Sequence, residues 1–355
     1  MARRLDLLPK AHLHLHFTGA MRRSTLIELA DAHGITLPEA FGAEWPPRLR
    51  GTDERGWFRF QRLYDCARAV LRTESDIRRL ITEMAQDDRA EGSGWLEYQV
   101  DPSGYAGRFG GLTAFTELVL DATEHAARAA GIGIGVIIAA NRTRHPLDSR
   151  ASARLAASFA GRGVVGFGLS SDERRGAPAD FAAAFRIAAR AGLLAVPHGG
   201  ELSGPESVRG CLDDLGADRI GHGVAATAEP ALLSRLAGRQ TTLEVCPGSN
   251  VALGVAATPA EVPLTELLHA GVRIALGADD PLLFGSRLTA QYEIARDAHG
   301  LSDDELAALA RMSVEGSAVP EALGVRLLAG IDAWLAAPDP AAPEDYSVTP
   351  TSTGS

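Results

Sequence analysis

The chain has 355 residues, a formal charge of −10 and a pI near 5.5, with 46% hydrophobic and 23% charged residues. These proportions suit a globular protein with ample core and argue against nucleic acid or anionic lipid as the main partner. Cys66, Cys211 and Cys246 lie far apart with no CxxC pair, which excludes a disulfide framework and a cysteine-based zinc site. Lys10 is the single lysine, so chemistry that needs a lysine elsewhere in the chain is excluded as well. The opening Met-Ala-Arg-Arg-Leu-Asp-Leu-Leu-Pro-Lys is too short and interrupted for a signal peptide. No stretch reaches the roughly 20 apolar residues that span a bilayer. The expectation is a cytoplasmic protein, monomeric or homo-oligomeric.

In chain order, short apolar runs predict strands at Ala11–His16, Trp95–Val100, Gly133–Ala139, Val164–Leu169, Leu193–His198, Arg219–His222, Thr241–Cys246 and Arg273–Ala278. Continuous runs such as Gly-Ile-Gly-Val-Ile-Ile suit strands buried on both faces of a parallel sheet. Between them, helical periods appear at Ser24–His33, with Ser24 as the expected cap, and at Phe181–Ala191, Ala228–Ala237 and Leu264–Ala270. Each is expected to close on a glycine. Eight strand-plus-helix units match an α/β fold of the (β/α)8 TIM-barrel type, with a helical insertion after strand 1. That insertion carries Trp45, Trp57, Phe58, Phe60 and Tyr64. One barrel domain is predicted over residues 1–335. The Pro-, Ala-, Ser- and Thr-rich residues 336–355 are predicted to form a mobile tail.

In such barrels, reactive groups project from the C-terminal strand ends. The first strand ends His14-Leu15-His16, and alternate residues on a strand face one side, so both imidazoles should point inward. The fifth ends His198-Gly199-Gly200-Glu201, the sixth Gly221-His222-Gly223, and the eighth Ala278-Asp279-Asp280. Three histidines and a carboxylate make a sound shell for one zinc ion, with room for a water.

Five segments together resemble the adenosine deaminase family of zinc hydrolases. They are Pro9–His16, His198–Glu201, Arg219–Gly223, Leu243–Asn250 and Asp279–Pro281, and the resemblance extends over nearly the whole chain. It implies that His14, His16, His198 and Asp279 bind one Zn2+, which makes hydroxide available near neutral pH. It implies that His222 orients the water, that Glu201 protonates N1 of a purine and that Asp280 meets N7. His16, Ser171 and Gly200 join the substrate-facing set. The implied reaction converts the 6-amino group of an adenine nucleoside to a 6-oxo group and releases ammonia. A lysine-bridged binuclear site, found in other amidohydrolases, is impossible here because the fourth strand offers no lysine.

The sequence also departs from that family. Thr18 stands where an acidic residue usually meets the sugar, and His12 stands for the usual glutamate. Gln99 replaces a common arginine, while Gly168 and Ser171 replace an aspartate and a glycine, which reads as the loss of one ion pair. An acid at position 18 would repel an anionic 5′ group, whereas Thr18 would not. Arg174 and Arg175 are expected to face such a group. The His-Phe-Thr-Gly form resembles deaminases that act on 6-aminodeoxyfutalosine in menaquinone biosynthesis. The alternatives are adenosine or 2′-deoxyadenosine deamination in purine salvage, adenine deamination, or a non-catalytic nucleoside-binding protein. The last conflicts with an intact set of metal and acid residues.

Overall fold

The computed structural model describes residues 3–337. Eight parallel strands follow one another around the sheet in chain order: β1 Lys10–His12, β2 Ser93–Val100, β3 Gly133–Asn141, β4 Val164–Ser170, β5 Leu194–Gly199, β6 Arg219–His222, β7 Thr242–Val245 and β8 Arg273–Leu276. All eight match the sequence expectation to within a few residues. The ring closes where Asp279 N donates to His14 O at 3.0 Å and His16 N donates to Asp279 O at 2.9 Å. The result is a (β/α)8 barrel.

The helices in chain order are α1 Arg23–Ala32, α2 Glu54–Ala69, α3 Glu74–Ala90, α4 Leu112–Ala130, α5 Pro146–Ser158, α6 Pro178–Arg190, α7 Pro205–Asp213, α8 Pro230–Arg239, α9 Pro247–Ala252, α10 Leu264–His269, α11 Pro281–Phe284, α12 Leu288–Asp297, α13 Asp303–Glu315 and α14 Glu321–Ala336. Six of them begin on a proline, which fixes φ in the helical range and gives up an N–H that has no partner at a helix start. Proline therefore sets the start of α6 three residues before Phe181 and that of α8 two residues after Ala228. Gly34 and Gly271 take left-handed conformations just beyond α1 and α10, and Gly192 does so after α6, as expected. In α8, however, Gly238 lies inside the helix, and Gln240 adopts the left-handed closing conformation at φ +55°. Ser24 is not a cap either, because α1 opens at Arg23 and Arg22 precedes it without a capping side-chain bond.

Three helices, α1 to α3, fill the long connection between β1 and β2. Asp53 caps α2 by accepting from Gly56 N, and Thr73 and Asp76 form a reciprocal capping box on α3. Trp57, Phe60 and Tyr64 share one face of α2, turned toward the barrel mouth, while Phe58 is 65% exposed on the other. The core is continuous from barrel to helices and is built largely of Leu, Ala, Val, Ile and Phe. Lys10 is the first residue of β1 rather than preceding it. Its ammonium is buried at the opposite end from the mouth, donating to Leu5 O at 2.8 Å and Glu91 O at 2.7 Å. The last helix reaches Ala336, one residue into the expected tail, and the rest of that prediction, residues 338–355, lies outside the described residues. Among the described residues no helix is long and apolar enough to cross a membrane.

Candidate active site

The strand ends bring His14, His16, His198, His222 and Asp279 together as the sequence pattern predicts, although not by simple strand alternation. β1 stops at His12, and His14 to His16 continue in extended form, held by β2 and by the segment after β8. Gln99 N donates to Leu15 O at 2.8 Å, and Phe17 N donates to Gln99 O at 2.9 Å. Space for the His14 ring depends on two glycines. A Cβ on Gly221 would lie 2.8 Å from His14 Cε1, and one on Gly277 would lie 2.6 Å from His14 Cβ.

Donor atoms converge. His16 Nε2 lies 3.2 Å from both His198 Nε2 and Asp279 Oδ1, and His14 Nε2 lies 3.6 Å from Asp279 Oδ1. His14 Nε2 is buried and has no hydrogen-bond partner among the described residues. His14, His16 and His198 form one group able to hold an ion, and His14, His222 and Asp279 form another. Three imidazoles and a carboxylate crowded this closely suit a divalent cation that draws them together. Behind the cluster, His14 Nδ1 is 2.7 Å from Glu244 Oε2, which fixes Nε2 as the inward-facing nitrogen. Glu244 Oε1 accepts from Arg219 Nε at 2.7 Å, and Arg219 also binds Glu97. Ser249 donates to Asp279 Oδ2.

Asp279, His222 and Ser171 all adopt positive φ, at +62°, +65° and +82°. Such non-glycine backbone costs about 1–3 kcal/mol per residue and gathers at functional sites, as it does at these strand ends. Electrostatics sort the titratable groups. Burial and the neighbouring charge of His14 hold His198 well below its usual value, and burial takes His222 down to about 3, so both stay neutral. Burial, reinforced by Asp279 and Glu173, raises Glu201 well above the carboxylate range. Burial and Asp279 push Asp280 up to about 7. Glu201 Oε2 lies 3.6 Å from His222 Nε2. Asp280 packs so closely on Gly19 that a Cβ there would fall 1.7 Å from Asp280 Oδ1.

One cavity opens over this cluster. His16, Ser171, His198, Glu201, His222, Asp279 and Asp280 reach it. Four expected substrate residues do not line it. Thr18 is fully buried, and its hydroxyl is engaged by Tyr105. The Gly200 N–H is taken by the Glu173 carboxylate. Arg174 turns to Asp172 at 2.8 Å, and Arg175 to Asp172 and Glu54 at 3.4 Å. Phe58 points to solvent, leaving Trp57, Phe60 and Tyr64 as the aromatic cover. Sequence reading missed Gln61, Arg68, Gln99, Asp101, Asn141 and Leu253 on the cavity wall. Asp101 and Asn141 had a signal, since each directly follows or ends a strand on the reactive side of the barrel. Gln61 and Arg68 lie on α2 and had none. Gln99 and Gly168 do face each other, since a Cβ on Gly168 would lie 3.1 Å from Gln99 Oε1. His12 is tied to Asp88 of α3 at 3.0 Å and to Ala278 N at 3.1 Å, which places it behind the cluster rather than in it.

Comparison with known proteins identifies the family. The family profile described as adenosine deaminase matches residues 9–334. The chain belongs to the adenosine deaminase family. It is 65% identical over 334 residues to a putative adenosine/adenine deaminase of Streptomyces virginiae, covering 94% of this chain and 98% of that protein. It is 36% identical over 323 residues to the adenine deaminase of Agrobacterium fabrum, covering 91% and 97%. Among solved structures it resembles an adenine deaminase from Arthrobacter aurescens, with a TM-score of 0.84, 28% identity and coverage of 93% and 99%. The chain is accordingly a hydrolytic deaminase of the adenosine/adenine type, acting on a C–N bond.

Proposed function

We propose that this adenosine deaminase family member hydrolyses the 6-amino group of an adenine ring carried on a nucleoside with a 5′ extension. The metal group His14, His16, His198 and Asp279 would hold one Zn2+, which when bound lowers the pKa of a water so that hydroxide is available near neutral pH. Glu201, kept protonated by its buried site, donates to ring N1 and leaves C6 open to attack. Neutral His222 accepts a proton from the attacking water. The water oxygen bonds to C6, the C6–N bond breaks, and ammonia leaves. The two protons of the water replace the one given to N1 and the one taken by the departing amine. Asp280, with its raised carboxyl, shares a proton with N7.

The observation that carries the substrate reading is the wall beyond these groups. Asp101, Asn141 and Gln61 supply acceptors and donors for sugar hydroxyls, and Arg68 supplies a guanidinium among Trp57, Phe60 and Tyr64. Arg68 lies 5.8 Å from the Tyr64 ring and pairs with Asp65. These groups also bond within the protein, Gln61 and Arg68 to Asp65, Asp101 to Ser103 N and Asn141 to Thr143 N. A free base nevertheless makes no use of them, whereas a nucleoside with an aryl or anionic extension, such as 6-aminodeoxyfutalosine, does. Deamination of free adenine is a second reading, favoured by the Agrobacterium and Arthrobacter relatives described as adenine deaminases. The test is a substrate panel followed by the ultraviolet change on deamination. An advantage of about tenfold in kcat/KM for the extended nucleoside over adenosine and adenine, roughly 1.4 kcal/mol of transition-state binding, supports the first reading. Preference for adenine establishes the second.

A further inference from the structure

Glu173, just beyond β4, carries a carboxylate that is 6% exposed and touches no reacting group. Its Oε1 accepts from Gly200 N and from Ser207 Oγ. Its Oε2 accepts from Glu201 N at 2.8 Å, Leu202 N at 2.6 Å and Ser203 N at 3.2 Å. Four consecutive amides of the β5–α7 connection therefore converge on one side chain. Buried backbone N–H groups need partners, and here all four find them in a residue of the connection that follows β4. The anchor is itself held, because Arg142 donates to Glu173 O at 3.4 Å and also to His198 O. The loop so gathered carries Glu201.

We propose that Glu173 is a positioning residue that fixes the Glu201 carboxyl against the substrate ring by gathering the amides of the loop that bears it. The proposal rests on the reading of Glu201 as the acid. A carboxylate is required because it is an acceptor at both oxygens, so each can serve several N–H donors at once. A glutamine in its place presents an NH2 to those donors, and one side of the clasp opens. Displacement of a reacting group by about 1 Å costs on the order of 100-fold in rate.

The test is a double-mutant cycle with Glu173→Gln and Glu201→Gln in the metal-loaded enzyme. Glu173→Gln is expected to lower kcat by about 10- to 100-fold with KM within about threefold and the bound-metal ratio unchanged. In the Glu201→Gln background the same substitution should cost less than about threefold, because the residue acts through a group already removed. Ser207→Ala, which deletes one partner of Glu173, should give a smaller loss with the same non-additivity and keeps the test open should Glu173→Gln fold poorly. Additive losses in the cycle, or an unchanged kcat in Glu173→Gln, would overturn the proposal. If Glu201→Gln itself leaves kcat intact, the reading of Glu201 as the acid fails instead.

Discussion

Replacing Arg219 with methionine should damage both stability and metal binding, and by amounts the structure sets. Arg219 is 1% exposed and joins two carboxylates that are each fully buried, Glu244 at 2.7 Å and Glu97. It also donates to Gly316 O at 3.1 Å. Methionine fills much of the volume, so the loss is electrostatic. Removing one member of a buried ion pair costs about 3–5 kcal/mol, because the partner stays buried and uncompensated. The two pairs share one cation, so their costs do not add. Glu97 also keeps Trp95 Nε1 at 2.7 Å and Ala318 N at 2.6 Å, and Glu244 keeps His14. The expected loss is therefore about 3–5 kcal/mol in total, a large share of a stability of about 5–15 kcal/mol. Glu244 also loses the charge that steadies it behind His14, and loss of such outer support typically weakens metal affinity about 10- to 100-fold. Burial alone would raise Glu244, but the Arg219 guanidinium and His14 more than reverse this and hold it below its ordinary 4.5. A depressed folded pKa contributes stability above the unfolded value, and that contribution is lost as pH falls through the folded one. The gap between parent and variant should therefore be full at neutral pH and narrow below about pH 4.5. Urea unfolding at several pH values, with and without a chelator, and competitive metal titration measure these effects. A loss below about 1 kcal/mol together with unchanged metal affinity would refute the reasoning.

The remaining predictions concern the acid and the aromatic cover. Glu201→Gln should lower kcat by about 10²- to 10⁴-fold with metal still bound, and loss of metal on analysis would show that the side chain holds the ion instead. In the parent enzyme kcat/KM should fall as pH rises through the raised Glu201 value, because only the protonated carboxyl donates, and this alkaline limb should be absent from the glutamine variant. Phe58→Ser should leave kcat/KM within about twofold, since surface substitutions carry little energy. Phe60→Ala removes a buried ring stacked on Phe284 at 5.9 Å and should cost about 3–5 kcal/mol on thermal or urea unfolding.

Much of this site is visible in the linear sequence because its chemistry is local. A strand end in a parallel barrel carries its reactive residue within a few positions of an apolar run, so His14, His16, His198, His222 and Asp279 announce themselves by residue type and place. The eight strands do so for the same reason, since burial on both faces demands unbroken apolar runs. The helix starts were also written locally, in the prolines at 178 and 230, a signal that a search for apolar periods overlooks.

What depends on distant partners was not visible. Arg175 looks poised for an anion until Glu54 of α2 is folded beside it, although the Asp172 that takes Arg174 was close by in the sequence, and Thr18 looks available until Tyr105 takes its hydroxyl. Arg68 and Gln61 reach the cavity only because α2 lies across the barrel mouth. Glu173 looks like one more loop acid until 200–203 wrap around it. The sequence by itself determined the barrel and the converging donors, because both follow from residue type and spacing along single strands. It pointed to the class of reaction through the resemblance of five segments to the adenosine deaminase family. Tertiary structure alone decided which polar groups remain free to meet a ligand, because that depends on hydrogen bonds and ion pairs between segments far apart in the chain.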